Sequence, residues 1–290
     1  MPSVTSLSIS PGQELNPDPK KNGFTVKPDK LTQSLVHCQP MSTNSFHISL
    51  IQRGREPFAA TFAAMRAYTD ARTAQSEDQL WIVEHDPVFT LGLAADPSHV
   101  LNAHGIPVIQ TDRGGEVTYH GPGQVVIYLL LDLRRNKRSG LVKEFVRNIE
   151  QAVINTLEKY HLSGERKEGA PGIYLSDGAL AGAKIAALGL KVRASGCTYH
   201  GVSLNVGMDL APFSYINPCG YADMACTDIH TAMRITANQP LNTAADPVIN
   251  TVINSVNNKL MHNVIHAHCA PPTLPEVQMT LAKQLQNLLT

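Results

Sequence analysis

Residues 125–131, inside the stretch "QVVIYLLLDL", form an unbroken apolar run. The run is too apolar for the in–out alternation of a half-exposed strand, and far too short to cross a bilayer. It reads as a strand buried on both faces, so the chain must supply a packing layer on each side of it. Amphipathic segments are available. Residues 58–74 carry Phe58, Phe62, Met65 and Tyr68 at helical spacing. Residues 141–160 place Leu141, Phe145, Ile149, Val153 and Leu157 on one stripe. "AADPVINTVINSVNNKL", with Pro247 near its start, and "LPEVQMTLAKQLQNLL" read as two closing helices. Further strands are expected at "SFHISLIQRG", "QLWIVEH", "IPVIQTD", "GIYL", "AKIAALGLKV" and "CTYHGVSLNV". Helices and strands interleave without a regular βαβ rhythm, so the expected class is α/β in the broad sense, an α+β or mixed sheet flanked by helices rather than a doubly wound sheet.

The chain has 290 residues, 43% of them hydrophobic, enough for one sizeable core. Its formal net charge of zero gives no electrostatic footprint for nucleic acid. No segment is long and apolar enough for a membrane span. Cys38, Cys197, Cys219, Cys226 and Cys269 are odd in number and irregular in spacing, as expected of reduced thiols in a cytoplasmic protein. Residues 1–44 hold six prolines and little apolar periodicity. They read as a disordered extension, with residues 45–290 as a single folded domain. That extension lacks the apolar core of a signal peptide and the arginines of a transit peptide, and Met41 stands as an alternative start.

"RGGEVTYHGPGQ", residues 113–124, crowds four glycines beside Arg113, Tyr119 and His120 immediately before the buried run. Glycines allow backbone to approach a ligand closely. A loop held between two core strands would turn Arg113, Thr118, Tyr119, His120 and Gln124 towards a cleft. The spacing fits neither G-x-x-x-x-G-K-[ST] nor G-x-G-x-x-G, so a phosphate cradle is not indicated. A tight turn with an incidental histidine is the structural alternative. Cys219, in "INPCGY", lies between a stiff proline and an unhindered glycine. On the residues alone it is either a reactive thiol or a small buried hydrophobe beside a turn. Cys197 precedes His200 by three positions in "CTYH", and residues three apart on a strand face opposite ways, a poor geometry for a nucleophile and its base. Lys184, opening "KIAALG", is either a strand-edge lysine reaching water or a functional ammonium. His262, His266, His268 and Cys269 cluster in "HNVIHAHC". No carboxylate or second cysteine accompanies them, and Pro271 and Pro272 follow, so they read as surface or interhelical side chains rather than metal ligands.

Four ordered segments resemble one family, the octanoyltransferases of lipoate biosynthesis. "RGGEVTYHGPGQ" resembles R-G-G-x-x-T-Y-H-G-P-G-Q, and "EHDPVFTLG" resembles E-H-x-P-V-[FY]-T. "GAKIAALGLKV" resembles the family's K-I-A-x-[LI]-G strand. "CTYHGVSLNVGMDLAPFSYINPCGY" resembles H-G-x-x-L-N-V followed by F-x-x-I-x-P-C-G. The resemblance runs from about residue 47 to about 260. It implies the fold of the biotin and lipoate protein ligases. It also implies transfer of octanoyl from octanoyl-acyl carrier protein to a lysine of lipoyl domains, in 2-oxoacid dehydrogenase complexes and the glycine cleavage H protein. No cofactor, metal, nucleic acid or membrane is implied.

By the same resemblance Cys219 aligns with the nucleophile that carries the acyl thioester, and Lys184 with the lysine that partners it. Such an ammonium favours the thiolate, and it can pass a proton to or from the reacting groups. Substrate contacts align with Arg113, Gly114, Gly115, Glu116, Val117, Thr118, Tyr119 and His120, with Ala187, Leu188 and Gly189, and with Gly201, Val202 and Ser203. Three departures stand out: Ala194 and Ser195 where the family carries arginines, a long "YLSDGALAGAKI" connection, and the N-terminal extension. Three other activities compete: an ATP-dependent lipoate ligase, which would need an R-R-x-S-G-G-G pattern where this chain has "TDRGGEV", a noncatalytic acyl-carrier-binding protein, and a cysteine hydrolase.

Overall fold

The computed structural model describes residues 47–135, 142–217, 224–238 and 270–290, all within one compact unit, Ser45–Thr290. The N-terminal extension, Cys219, the helix expected at 244–260 and the histidine cluster at 262–269 lie outside the described residues.

A seven-stranded sheet and a three-stranded sheet carry the fold. The elements of the large sheet are β1 (Ile48–Glu56), β2 (Asp78–His85), β6 (Gln124–Leu130), β7 (Gly164–Lys167), β8 (Ala170–Leu175), β9 (Lys184–Val192) and β10 (Thr198–Asn205). Their order across the sheet is β1-β2-β6-β10-β9-β8-β7. β1 and β2 run parallel and the other neighbours antiparallel, so the sheet is mixed. The small sheet has order β4-β3-β5, from β3 (Val88–Leu91), β4 (Val108–Gln110) and β5 (Val117–His120).

Every residue of β6 is buried, and the two faces of the strand serve different layers. Val125, Ile127, Leu129 and Leu131 pack into a core shared with helix α2 (Val142–Glu158) and helix α4 (Leu274–Leu289). Val126, Tyr128 and Leu130 pack with Phe58 and Met65 of helix α1 (Phe58–Asp70). A strand that meets a layer on each side cannot alternate polar with apolar residues, which explains the composition of the run. On α2, Phe145, Ile149, Val153 and Leu157 are buried along one face, as the stripe requires. α4 starts with a capping box: Thr273 and Glu276 satisfy each other's end of the first turn, and Pro275 sits where its missing N–H costs nothing. Helix α3 (Ile229–Asn238) adds Ile229 and Ala232 to the same core.

Two expectations need correction. The strand expected at "IPVIQTD" is only three residues long and belongs to the small sheet, where Val108 is exposed, not to the core. The glycine-rich segment is not one loop between core strands, because residues 117–120 form β5 and pair with β3 (Thr118 opposite Thr90). Tyr119 therefore turns away from the cleft and packs between Phe89 and Phe213, with ring centroids 5.5 Å from each.

Leu281 of α4 is fully buried in the core beneath β6. Leu281→Ala is expected to lower unfolding stability by about 2–5 kcal/mol, the usual cost of removing a buried leucine side chain. Chemical denaturation with an unchanged m-value checks this.

Candidate active site

Lys184 is the first residue of β9 and lies opposite Tyr174 of β8. Its backbone N–H donates to the carbonyl of Ala225 at 2.8 Å, and its carbonyl accepts from the N–H of Thr227 at 2.9 Å. Residues 225–227 thus hold the start of β9 like a short parallel strand, and Cys226 is the residue bridged to Lys184. Lys184, only 7% exposed, lines a cavity of about 510 Å³, and so does half-buried Cys226. Sequence reading assigns Cys226 no role, since nothing local in "MACTD" marks a pairing with a strand so distant in the chain. Cys197 is buried, bridges to Asp132 and does not line the cavity.

The glycine segment forms another wall. Gly114 donates its N–H to the carbonyl of Leu190 at 2.9 Å, which ties the segment to β9. The guanidinium of Arg113 is buried and donates to the carbonyl of Thr90 at 2.6 Å and to its hydroxyl at 3.0 Å, so Arg113 also anchors the segment to β3. Arg113, Gly114, Gly115, Glu116, Val117, Thr118 and His120 line the cavity, and Tyr119 does not. Ala187, Leu188, Gly189, Gly201, Val202 and Ser203 line it from β9 and β10. The structure therefore brings together every described residue singled out for the site except Tyr119. Gly201 is required by close approach, because a Cβ there would lie 2.0 Å from the carbonyl oxygen of Ile127 on β6. Val126, Val142, Val146, Leu190 and Val192 contribute apolar surface, as an acyl chain requires.

A buried polar network that includes His120, Gln124, His200 and Asn205 forms part of the cavity wall. Gln124 donates through Nε2 to Asn205 Oδ1 at 2.9 Å and to the carbonyl of Tyr119 at 3.2 Å, leaving its Oε1 to accept from His120 Nδ1 at 2.7 Å. Asn205 donates in turn to the carbonyl of Thr227 at 2.9 Å, which joins the network to the segment that holds Lys184. His120 therefore carries its proton on Nδ1, and its Nε2 is an acceptor. His85 donates through Nδ1 to the carbonyl of Glu56 at 2.9 Å and accepts at Nε2 from the Tyr128 hydroxyl at 2.7 Å. His200 has a left-handed backbone, with φ of 60°, and donates to Asp112 at 3.2 Å; Tyr199 also donates to Asp112. Burial, reinforced by His85 nearby, lowers the pKa of His120 to about 3. Burial lowers that of His200 to about 4, and it lowers that of His85 as well. Burial and the Asp112 carboxylate push Tyr199 up to about 12. The network was only half legible: Gln124 was expected at the cleft, whereas Asn205 and Asp112 were not singled out.

Among the described residues no group of three or more His, Cys, Asp or Glu side chains is placed to hold a metal, and no helix is long and apolar enough to cross a membrane. The described site offers a lysine, a thiol, neutral imidazole acceptors and closely packed backbone amides around an apolar cavity, a set suited to acyl chemistry.

Comparison with known proteins identifies the family and the fold. The family model described as the lipoyl protein ligase A/B catalytic domain matches residues 57–252. The octanoyltransferase of Herminiimonas arsenicoxydans is 72% identical over 182 residues, 62% of this chain and 84% of the relative. That of Cupriavidus pinatubonensis is 60% identical over 203 residues, 70% of this chain and 79% of the relative. Among solved structures, a T. acidophilum protein with bound lipoic acid has a TM-score of 0.55 at 15% identity, covering 84% of this chain and 86% of its own. The bi-partite lipoate protein ligase and its E2 lipoyl domain from Thermoplasma acidophilum gives 0.52 at 15% identity, over 84% of each chain. At such identity these two likenesses concern the fold alone, and they match the mixed sheet flanked by helices.

The lowered histidine pKa values set a pH dependence. A histidine held neutral in the folded state takes up its proton on unfolding once pH falls below about 6.5, so its stabilisation is full above that value. It is lost as pH falls towards the folded pKa, about 4 for His200 and about 3 for His120. Stability should therefore fall by up to about 1.4 kcal/mol per pH unit for each such histidine across its window. Denaturant titrations between pH 7 and pH 4 check this, and His120→Gln should flatten the slope.

Proposed function

This chain belongs to the lipoyl protein ligase A/B catalytic-domain family, and from that premise we propose that it is an octanoyltransferase working through a thioester on Cys219. The donor is octanoyl-acyl carrier protein and the acceptor is a lysine of a lipoyl domain. The thiolate of Cys219 attacks the donor's thioester carbonyl. The tetrahedral oxyanion collapses and expels the carrier thiolate, which takes a proton from the Lys184 ammonium. The acceptor amine then attacks the enzyme thioester, loses a proton to Lys184 and leaves as an amide, freeing Cys219. Thioester exchange is nearly balanced in energy, and amide formation draws the sequence forward.

The observation that carries this reading is the placement of Lys184. It opens into the cavity that also holds the glycine segment and the 187–189 and 201–203 stretches. Cys219 precedes Ala225, which bonds the Lys184 backbone, by only six positions, a reach of at most about 20 Å. One further observation favours a second reading. Cys226 is bridged to Lys184 and lines the same cavity, so it is the local rival as nucleophile.

Exposure to octanoyl-acyl carrier protein without acceptor is expected to add one octanoyl group, removable by hydroxylamine, and peptide mapping should place it on Cys219. Adding a lipoyl domain should discharge it onto the acceptor lysine. Cys219→Ala should abolish both steps, whereas Cys197→Ala should leave them. In Cys226→Ser the group should still map to Cys219. Mapping to Cys226 in the wild-type protein would instead establish the rival. Transfer that requires free octanoate and ATP would favour a ligase, and free octanoate accumulating without acceptor would favour a hydrolase.

Lys184→Ala should slow acylation by about 10²–10⁴-fold with the fold intact, the usual range for a positioned acid–base group. Lys184→Arg should recover part of it at most, because a guanidinium keeps its charge but does not give up a proton. Removing residues 1–44 should leave turnover essentially unchanged, since they precede every matched motif and the family model begins at residue 57.

A further inference from the structure

The side chain of Lys184 rests on two residues of β8 to which neither the motifs nor the relatives' names give a role. β8 changes register between Ile173 and Tyr174, directly opposite the start of β9. Just before the shift, Gly172 has φ of 128°, a conformation that residues with a Cβ rarely adopt. A Cβ on Gly172 would lie 2.7 Å from Lys184 Cε, 3.3 Å from its Nζ and 2.5 Å from the carbonyl oxygen of Ala186. The lysine stem therefore crosses the bare Cα of Gly172. Beyond it, Nζ lies 5.6 Å from the centre of the Tyr174 ring, within the range in which a ring face attracts an ammonium. Tyr174 is itself buried, and its ring is also 4.4 Å from Lys167 Nζ, which donates to the carbonyl of Gly182.

We propose that Gly172 and Tyr174 are positioning residues that seat the Lys184 ammonium at the cavity. The absent side chain at 172 lets the stem lie flat on β8, and the ring at 174 receives the charged end. With the stem pinned, the ammonium stays at one place on the cavity wall instead of sampling several rotamers. The role in turnover rests on the reading of Lys184 as the partner of the reactive thiol, but the seat itself is a statement about Lys184 alone.

Gly172→Ala separates the two. In the folded variant, labelling of Lys184 Nζ by a small amine-reactive reagent, read by peptide mapping, should change at least about threefold because the ammonium is displaced. Acyl transfer should fall at least about tenfold in kcat with little change in KM for the donor. The pH dependence of Cys219 alkylation should move in the same direction as in Lys184→Ala. In the Lys184→Ala background, Gly172→Ala should cost no further rate. Unchanged Lys184 labelling in Gly172→Ala would overturn the seat. So would a rate loss that multiplies with Lys184→Ala, since the glycine would then act elsewhere. Full activity in Lys184→Ala alone would sink the catalytic reading of the lysine, while the labelling would still decide the seat. If Gly172→Ala does not fold, Tyr174→Leu tests the other wall with the same readouts. Altered labelling with no added loss in the Lys184→Ala background would support the seat, and unchanged labelling or a multiplying loss would overturn it.

Discussion

The double-sided burial of β6 is the constraint on which the rest depends. Its odd-numbered residues complete the core under α2 and α4, and Val126, Tyr128 and Leu130 complete the core under α1. A strand in that position cannot shift by one residue without exchanging its two faces and unpacking both layers. Its ends are therefore fixed, and the segments attached to them inherit that precision. The glycine segment ends where β6 begins, and β10, which carries His200 and Gly201, pairs along its length. The cavity walls that β6 and β10 supply are therefore set by the core.

The small sheet then decides which residues of the glycine segment face the cavity. Pairing of β5 with β3 makes residues 117–120 alternate. Thr118 and His120 line the cavity, while Tyr119 fills the separate core with Phe89 and Leu91, and Val117 at the start of the strand touches both. Arg113 makes a similar compromise: it lines the cavity, yet its guanidinium is held by Thr90. A residue inside a functional motif can thus owe its identity to the frame that holds the motif.

This division explains what the sequence revealed. α2 and α4 were legible because a long apolar stripe repeats at the helical period, and β6 because no half-exposed strand is so apolar. β3, β5 and β7 are only four residues each, too short for alternation to declare itself. The residues lining the cavity were legible through ordered motifs, not through periodicity. Cys226 was not, because its partner Lys184 is remote in the chain, and Asn205 stands inside the matched "HGVSLNV" without a role, because its bonds go to Gln124 on the paired strand and to the Thr227 carbonyl. Local spacing carries no trace of such contacts. Gly172 escaped for another reason: it opens the expected strand "GIYL", and a glycine there shows no special role until the neighbouring strand's side chain is seen lying on it.

The electrostatics of the cavity follow from the same packing. His85 and His120 have ring centroids 6.0 Å apart in a buried environment. Two positive charges at that separation would repel by about 3 kcal/mol at an effective dielectric constant of about 20, before any desolvation cost. Neutrality is the cheaper state for both, and each then needs a donor or acceptor suited to a neutral ring. The Glu56 carbonyl and Gln124 Oε1 each take an Nδ1 proton, which leaves both Nε2 atoms as acceptors. His85 Nε2 is already occupied by the Tyr128 hydroxyl, so of the two only His120, which lines the cavity, keeps an Nε2 lone pair for another donor, and it does so without adding positive charge. An incoming amine must be uncharged to attack a thioester, and neutral imidazoles neither repel its protonated form on approach nor lock it in that form as a carboxylate would. On the proposed mechanism this leaves Lys184 as the proton carrier, because burial keeps His85, His120 and His200 neutral.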